Sequence, residues 1–582
     1  MSSVTRTVLR IGTAPQLWMF GPLDFEGTGE ESKGDRDAAF PGPDKPGRDG
    51  GTRFELTFED PDPRLIRRSA LRLDDFLQSC GLLEPLAVRD FLRSMDWSRF
   101  ESAYRPELRK PYAPVCRVGL VLYALLRGVS SLLGIEELAR LDLGGQWITG
   151  GLMPDHSSVG RFINRHAEIL TEAFFENLTR EVLGRTGSQA KSLAGDGTVI
   201  QAAASRYHTL KAEAAQKAHA RAREQAEHSP FEDQAQQKAE HAEQVAAVAV
   251  ERQKARQARG RDTGSAVVAP SEPEAVLQPL KNGAKAPSYK GSVLANAQRI
   301  VVGKHVEAAS EIKAVEPMLD QAERIGKTRV EQVRFDAGYF CDETLTLAVQ
   351  RDLDVLIPEG KANGNDDWEK QSEKQFPRSR FIYEPEPDRY RCPTGEFLVP
   401  VGRCKGNETQ KGYVLYRAEH CEKCPLKEKC TTSEVGRSLK RYAGEETKEA
   451  MREVMQQEGA RKAYQKRQAW VEPVFRELTG AQGFRRFRRR GLTRVRLEFS
   501  LQLCTYHLRR WLALTRVNVR RVLPILVAIL LCMGLLCGSS EGQHARAAAT
   551  KGTRRRSRRN LKRLFPILGC LGLPFAPRAA LS

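Results

Sequence analysis

The chain has 582 residues and carries 93 Lys and Arg against 73 Asp and Glu, a net charge of +20. That length allows several domains and a sizeable core, and the basic excess favours a polyanionic partner, nucleic acid first. Twelve cysteines are too few for a disulfide scaffold in so long a chain, and with no secretory signal at the start a reducing cytosolic compartment is expected.

Residues 1–63 read as a flexible leader, because Gly27–Gly51 is dominated by Gly, Pro and Asp. From 64 to 190 the pattern is helical. Leu71, Leu73, Phe76 and Leu77 pack together, and Pro85–Phe100 reads as an amphipathic helix. Val118–Arg127 is almost wholly apolar and predicts a buried helix. Ser130 and Ser131 can cap Leu132–Leu141, and Pro154–Ser158 carries capping chemistry for Val159–Leu170, with His156 as part of the cap. Short helices joined by tight turns suit a helix-turn-helix-like DNA-binding module. They suit an all-helical structural domain nearly as well.

The next segment, 191–360, opens with Ser192–Gln201, an apolar approach to a single Asp196 set between Gly195 and Gly197. A carboxylate buried without a partner is too costly, so Asp196 belongs at a strand end or edge, facing a cation or solvent. An ordinary turn aspartate fits the local pattern equally. Lys211–Arg259 is rich in Ala, Glu, Gln, Lys and Arg with almost no large apolar residue, which predicts a solvated helix or helical hairpin inserted over 205–287, ending in a loop from Gly260 to Pro287. Strands follow at Ser292–Ala297 and Arg299–Val306, then a helix at Ile312–Ile325. Val330–Asp336 alternates as a strand that ends on an acid, Asp342 can cap a helix to Arg351, and Asp354–Pro358 is the next strand. Strands alternating with helices indicate a mixed α/β sheet, whose sites form beyond the carboxyl ends of strands, where Asp336 lies.

Five cysteines fall between 392 and 430 within a Cys-rich insert, 361–450. Cys392, Cys421, Cys424 and Cys430 fit a tetrahedral structural Zn²⁺ site, with Cys404 spare; reduced cysteines in a small β-rich insert are the competing reading. In 451–515 a long helix places Tyr464, Val471, Phe475 and Leu478 on one stripe, with Pro473 expected to kink or restart it. Glu477 lies about 140° round from Glu472 and cannot share its face, so Glu472 is the better partner for the two aspartates. Phe484–Arg496 then packs seven arginines into thirteen residues with two aromatics. Arg485, Arg486, Arg488, Arg489 and Arg490 are the candidate phosphate and base contacts. In the tail, 516–582, the sixteen uncharged residues Val522–Cys537 contain Pro524 and Gly534 and fall short of the roughly 20 a membrane span needs. No membrane association is expected of them.

Asp196, Asp336 and Glu472, in that order, resemble the acidic triad of DDE transposases from bacterial insertion sequences. The likeness runs from about Leu83 to Trp511. It includes Tyr112-Ala-Pro, Leu122-Tyr123, Gly134-Ile-Glu136-Glu, Pro154-Asp-His-Ser-Ser, Asp196-Gly-Thr, Asp336-Ala-Gly-Tyr339, the cysteine cluster and Val471-Glu-Pro-Val-Phe475. The resemblance implies an RNase H-like α/β core, preceded by a helical N-terminal domain and interrupted by the helical and Cys-rich inserts. It further implies Mg²⁺ or Mn²⁺ held by Asp196, Asp336 and Glu472 for strand cleavage and strand transfer. The implied partners are double-stranded DNA, both element ends and target, and further copies of the chain on paired ends. The implied location is the bacterial cytoplasm at the nucleoid. Tyr464 and Arg467 look like the family's Tyr and Arg, with Arg467 one residue further from Glu472 than usual and assigned to DNA. Thr479 replaces an expected lysine, which would pass phosphate contacts to Arg476 or the arginines beyond. A DNA-binding relic without catalysis and a metal-dependent nuclease without strand transfer are the alternatives.

Overall fold

The computed structural model describes residues 59–537 apart from 69, 105–110, 229–232, 259, 261, 265, 281–282, 361–375, 377 and 407–410, with backbone only from 516 onward. Most of the expected leader and of the 516–582 tail lies outside the described residues.

The opening helices include α1 (Leu83–Arg93), α2 (Pro114–Leu126), α3 (Leu132–Leu141), α4 (Leu143–Thr149), α5 (His156–Arg165) and α6 (Ala173–Thr186). Pro114 starts α2, where a missing N–H costs nothing, and every residue of α2 except Arg117 is buried. Side-chain caps fix where the next helices begin: Gly134 N donates to Ser131 Oγ at 3.1 Å and Gly145 N to Asp142 Oδ1 at 2.8 Å. Asp155 caps α5, and Glu136 of α3 accepts from both the backbone N and ring Nδ1 of His156 at 2.8 Å. The continuous helix expected over Pro85–Phe100 is broken instead. Asp96 Oδ1 takes the Ser98 N–H at 2.9 Å, a local turn that competes with the helix.

The central sheet is built from β1 (Ser192–Gln201), β2 (Val276–Pro279), β3 (Lys285–Ala295), β4 (Val301–Glu307), β5 (Gln332–Arg334) and β6 (Asp354–Leu356). Its order is β6-β5-β1-β3-β2, with β4 also pairing β3. β1, β5 and β6 run parallel, whereas β3 is antiparallel to β1, β2 and β4. β3 begins seven residues before the expected Ser292, inside what read as loop. Pro287 argued against a strand there, yet its carbonyl accepts from Ala202 N at 2.8 Å. Helix α9, numbered after the hairpin below, is Val315–Gly326; it packs on β4.

Between β1 and β3 the chain makes a helical hairpin, α7 (Ala212–His228) and α8 (Asp233–Ala258), closed at its neck by pairing of Leu210 with Val268. The hairpin buries its own small alanine and valine cluster. After α10 (Asp342–Gln350), a second sheet is formed by β7 (Ile382–Glu384), β8 (Arg389–Arg391), β9 (Phe397–Cys404), β10 (Tyr413–Ala418) and β11 (Ser438–Tyr442), antiparallel throughout. It leads into α11 (Glu445–Gln456), α12 (Glu458–Thr479) and α13 (Leu492–Cys537).

Pro473 leaves α12 unbroken. The Ala469 carbonyl that a proline four residues on cannot serve takes the Arg299 Nε–H instead, at 3.1 Å. One apolar core joins α1, α2 and α6 to both faces of the central sheet and to α12 and α13. Inside it, the buried His507 ring links Thr179 Oγ1 at 3.2 Å to Val301 N at 3.1 Å. The chain divides into two compact units at Arg516, and no helix among the described residues is long and apolar enough to cross a membrane.

Candidate active site

Strand register brings the first two acids together. β1 and β5 pair Ser192 with Gln332 and Ala194 with Arg334, so continuing two residues sets Asp196 level with Asp336. Period-two alternation puts Ala194, Asp196, Arg334 and Asp336 on one sheet face. Helix α12 covers that face: Arg334 Nε donates to Ala463 O at 2.8 Å, and its guanidinium lies 4.5 Å from the Trp470 ring centroid. The glycine before Asp196 answers to the opposite face, where a methyl group at Gly195 would sit 2.2 Å from the Phe335 ring.

From α12, Arg467 points inward and is buried. Its Nη1 lies 3.6 Å from Asp196 Oδ2 and donates to Gly195 O at 3.3 Å. Asp196 Oδ1 accepts from Gly197 N at 2.9 Å. Burial is nevertheless the largest influence on Asp196. It lifts the carboxyl to about 6, with Asp336 and Glu311 adding to the rise and Arg467 opposing it. One turn before Arg467, burial also raises the half-buried Tyr464 hydroxyl, and Arg467 opposes that shift too. Asp336 Oδ1 accepts from Gly338 N at 3.0 Å, which fixes one carboxylate oxygen at the strand end.

Glu311, which the sequence reading passed over, is the third acid here. A methyl group at Gly338 would lie 3.1 Å from Asp336 Oδ1 and 3.8 Å from Glu311 Oε2, so both carboxylates crowd that glycine. Lys290 holds Glu311 Oε1 at 2.7 Å. The Tyr339 hydroxyl beside them is fully buried and pushed well up by burial. The available signal was position: Glu311 follows strand β4 and precedes a helix, as Asp336 follows β5.

Other expected residues stand elsewhere. Glu472 is exposed and makes no hydrogen bond or ion pair among the described residues. Five residues past Arg467, it lies about 140° round the helix from the side chain that faces Asp196. Glu477 is turned to Arg509, at 3.7 Å. Among the described residues no three carboxylate, thiol or imidazole groups stand ready around one metal position.

The arginine stretch divides. Arg476, Arg485, Arg486 and Arg490 are exposed, though Arg485 donates to Thr479 O at 3.2 Å, Arg486 to Ala202 O at 3.0 Å and Arg490 to Ala203 O at 3.4 Å. Arg488 is half-buried and Arg489 buried. The Glu498 carboxylate accepts their backbone N–H groups at 2.9 and 3.0 Å. Phe484 and Phe487 are core residues in edge contact at 5.1 Å, so neither ring is free to stack on a base. Cys392, Cys421, Cys424 and Cys430 line one cavity, and Cys404 is exposed at the end of β9.

Residues 391–512 match the family model described as Transposase DDE domain, and residues 81–165 match Transposase domain (DUF772). The first match contains α12 and the cysteines but neither Asp196 nor Asp336. No curated protein matches the chain.

Proposed function

From the premise that these two segments mark the chain as an insertion-sequence DDE transposase, we propose that it binds the element's terminal inverted repeats and carries out metal-dependent strand cleavage and strand transfer. The observation that carries this is the level pairing of Asp196 with Asp336 on adjacent parallel strands, beneath Arg467 of α12. An RNase H-like reading of the core is supported by the sheet order: antiparallel β4, β3 and β1, then parallel β5 and β6.

The donors suit a hard divalent cation such as Mg²⁺ or Mn²⁺. They are carboxylate oxygens, and Asp196 is raised toward neutrality by burial and neighbouring acids, a penalty a cation would relieve. Asp196 and Asp336 are the proposed ligands, with Glu472 as the third. When bound, the metal supplies water or 3′-hydroxyl activation and offsets charge at the scissile phosphate. Arg467 steadies Asp196, and Gly338 N orients Asp336. The Thr479 hydroxyl donates to Phe475 O at 2.8 Å, which turns it to its own helix, so phosphate contact falls to exposed Arg476, Arg485, Arg486 and Arg490. The helices of 64–190 would read the repeats, and several copies would act on paired ends at the nucleoid.

A cleavage assay on terminal-repeat DNA with Mg²⁺ tests the assignment. Asp196→Asn and Asp336→Asn should bind the ends and leave them uncut; full cleavage by Asp196→Asn refutes it. The exposed Glu472 and the self-bonded Thr479 favour a second reading, a relic that binds DNA without cutting. Wild-type protein that shifts repeat DNA but never nicks it would support that reading. Joining of labelled ends to a target plasmid separates a transposase from a nuclease.

A further inference from the structure

The four cysteines of the second sheet come from separate places in the chain. Cys392 sits in the turn between β8 and β9, where its N–H donates to Glu396 O at 2.7 Å and Gly395 N donates back to its carbonyl at 2.9 Å. Gly395 takes a φ of 91°, a backbone region that favours glycine. Cys421 and Cys424 lie in the turn after β10, and Cys430 ends the short helix Lys427–Cys430. All four reach one cavity. The Thr394 hydroxyl stands between two of them, 2.9 Å from Cys392 Sγ and 4.0 Å from Cys424 Sγ. Gly436 closes the far wall at φ 100°, and a methyl group there would lie 2.8 Å from Cys421 Cβ.

Convergence of four thiols needs a reason, because the rest of this subdomain is thin. Its core holds eight buried side chains, Cys430 among them, over a five-stranded sheet. Folds of that size rarely hold on apolar burial alone and use a metal or disulfide staple. Cys430 is pushed up to about 11 by burial, with the other three cysteines adding to the rise and Arg437 opposing it. Four such sulfurs disfavour ionisation until a cation joins them.

We propose that the insert binds one structural zinc ion through Cys392, Cys421, Cys424 and Cys430. Four sulfur donors select a thiophilic ion of tetrahedral habit over the hard cation suited to the aspartates. The Thr394 hydroxyl turns aside as the thiolates close on the ion and release their protons. Cys404 is excluded. It ends β9 seven residues beyond Phe397, about 20 Å along the strand from the Cys392 turn. The ion does no chemistry on DNA. It sets the sheet whose buried Arg441 grips Glu449 of α11 at 2.7 Å, while Lys411 and Lys448 both hold Asp342 of α10, at 2.7 and 2.6 Å. The staple thereby fixes the helices that lead to Arg467.

Full-length protein purified under reducing conditions without added metal should contain about one zinc per chain. Exchange with Co²⁺ should give the thiolate charge-transfer and tetrahedral d–d absorption of a four-sulfur site. Cys404→Ser should keep both signals and Cys424→Ser should lose both. If Cys424→Ser is insoluble, titrating the wild-type chain with a mercurial should release the zinc as the thiols react. Stripping zinc should speed proteolysis between 376 and 442 roughly tenfold while leaving the central sheet protected. A folded chain with no zinc and four freely reactive thiols, or with disulfides among these four cysteines, overturns the proposal. DNA cleavage is not the readout, so failure here leaves the assignment of the aspartates standing.

Discussion

At the scale of single residues, Asp196 decides most. Its carboxyl is raised from 3.8 to about 6 in the fold, so between those values the folded chain binds more protons than the unfolded one. Stability from this group is therefore highest below pH 4 and falls as pH rises to 6. Asp196→Asn removes that loss. Without metal, the variant should match wild type at pH 4 and exceed it by up to about 2 kcal/mol at pH 7, as urea denaturation at both pH values would report. A variant less stable at pH 7 would show that the Arg467 contact outweighs burial. Asp196 and Asp336 were legible as acids at strand ends with glycine neighbours. Glu311 was not. Its significance comes from Gly197 and Gly338, whose missing side chains let it approach, and no local pattern around Ala309–Ile312 announces that.

At the scale of elements, α12 and the arginine stretch mark where local reading stops. The stripe through Val471, Phe475 and Leu478 was visible as period, and all three are buried. The uninterrupted helix was not visible, because its spare carbonyl is served from 170 residues away by Arg299. Arg299 has a φ of 62°, which favours glycine. Arg299→Ala should cost about 1–2 kcal/mol by orphaning the Ala469 carbonyl, and Arg299→Gly should cost less by easing the backbone. Thermal unfolding of the two variants checks the order. Equal losses would mean that the hydrogen bond alone matters. The arginine run misled for a comparable reason. Glu498 stands in an otherwise apolar stretch from Val495 to Leu503, and that buried acid folds Arg488 and Arg489 back toward the core. A lone Glu among core residues was the signal available, and it read as nothing beside seven arginines.

At the scale of the molecule, the alternation of strands and helices fixed the α/β class, while sheet order needed the long-range pairings. The early helices share their core with the sheet, so their boundary in sequence marks no boundary in packing. The helical hairpin is the opposite case. Its cluster is separate from the main core, and the Leu210–Val268 pairing closes its neck. Replacing 212–266 by a tight Gly-Asn turn should leave the central sheet folded, with the melting temperature changed by only about 4 °C or less. Collapse of the far-ultraviolet spectrum on excision would show instead that Arg252, which donates to Pro273 O at 2.8 Å, ties the arm into the fold.

The Arg467–Gly195 contact spans 272 residues, and that has a consequence in time. Chains grow at about 5–20 residues per second, so Asp196 leaves the ribosome roughly half a minute before the arginine that steadies it. Until α12 emerges, the first acid has neither its cation nor the helix that shuts it from water. A nascent or prematurely ended chain therefore holds an open, hydrated strand edge. The site closes only when synthesis is nearly complete, which makes its assembly a late step for each copy made.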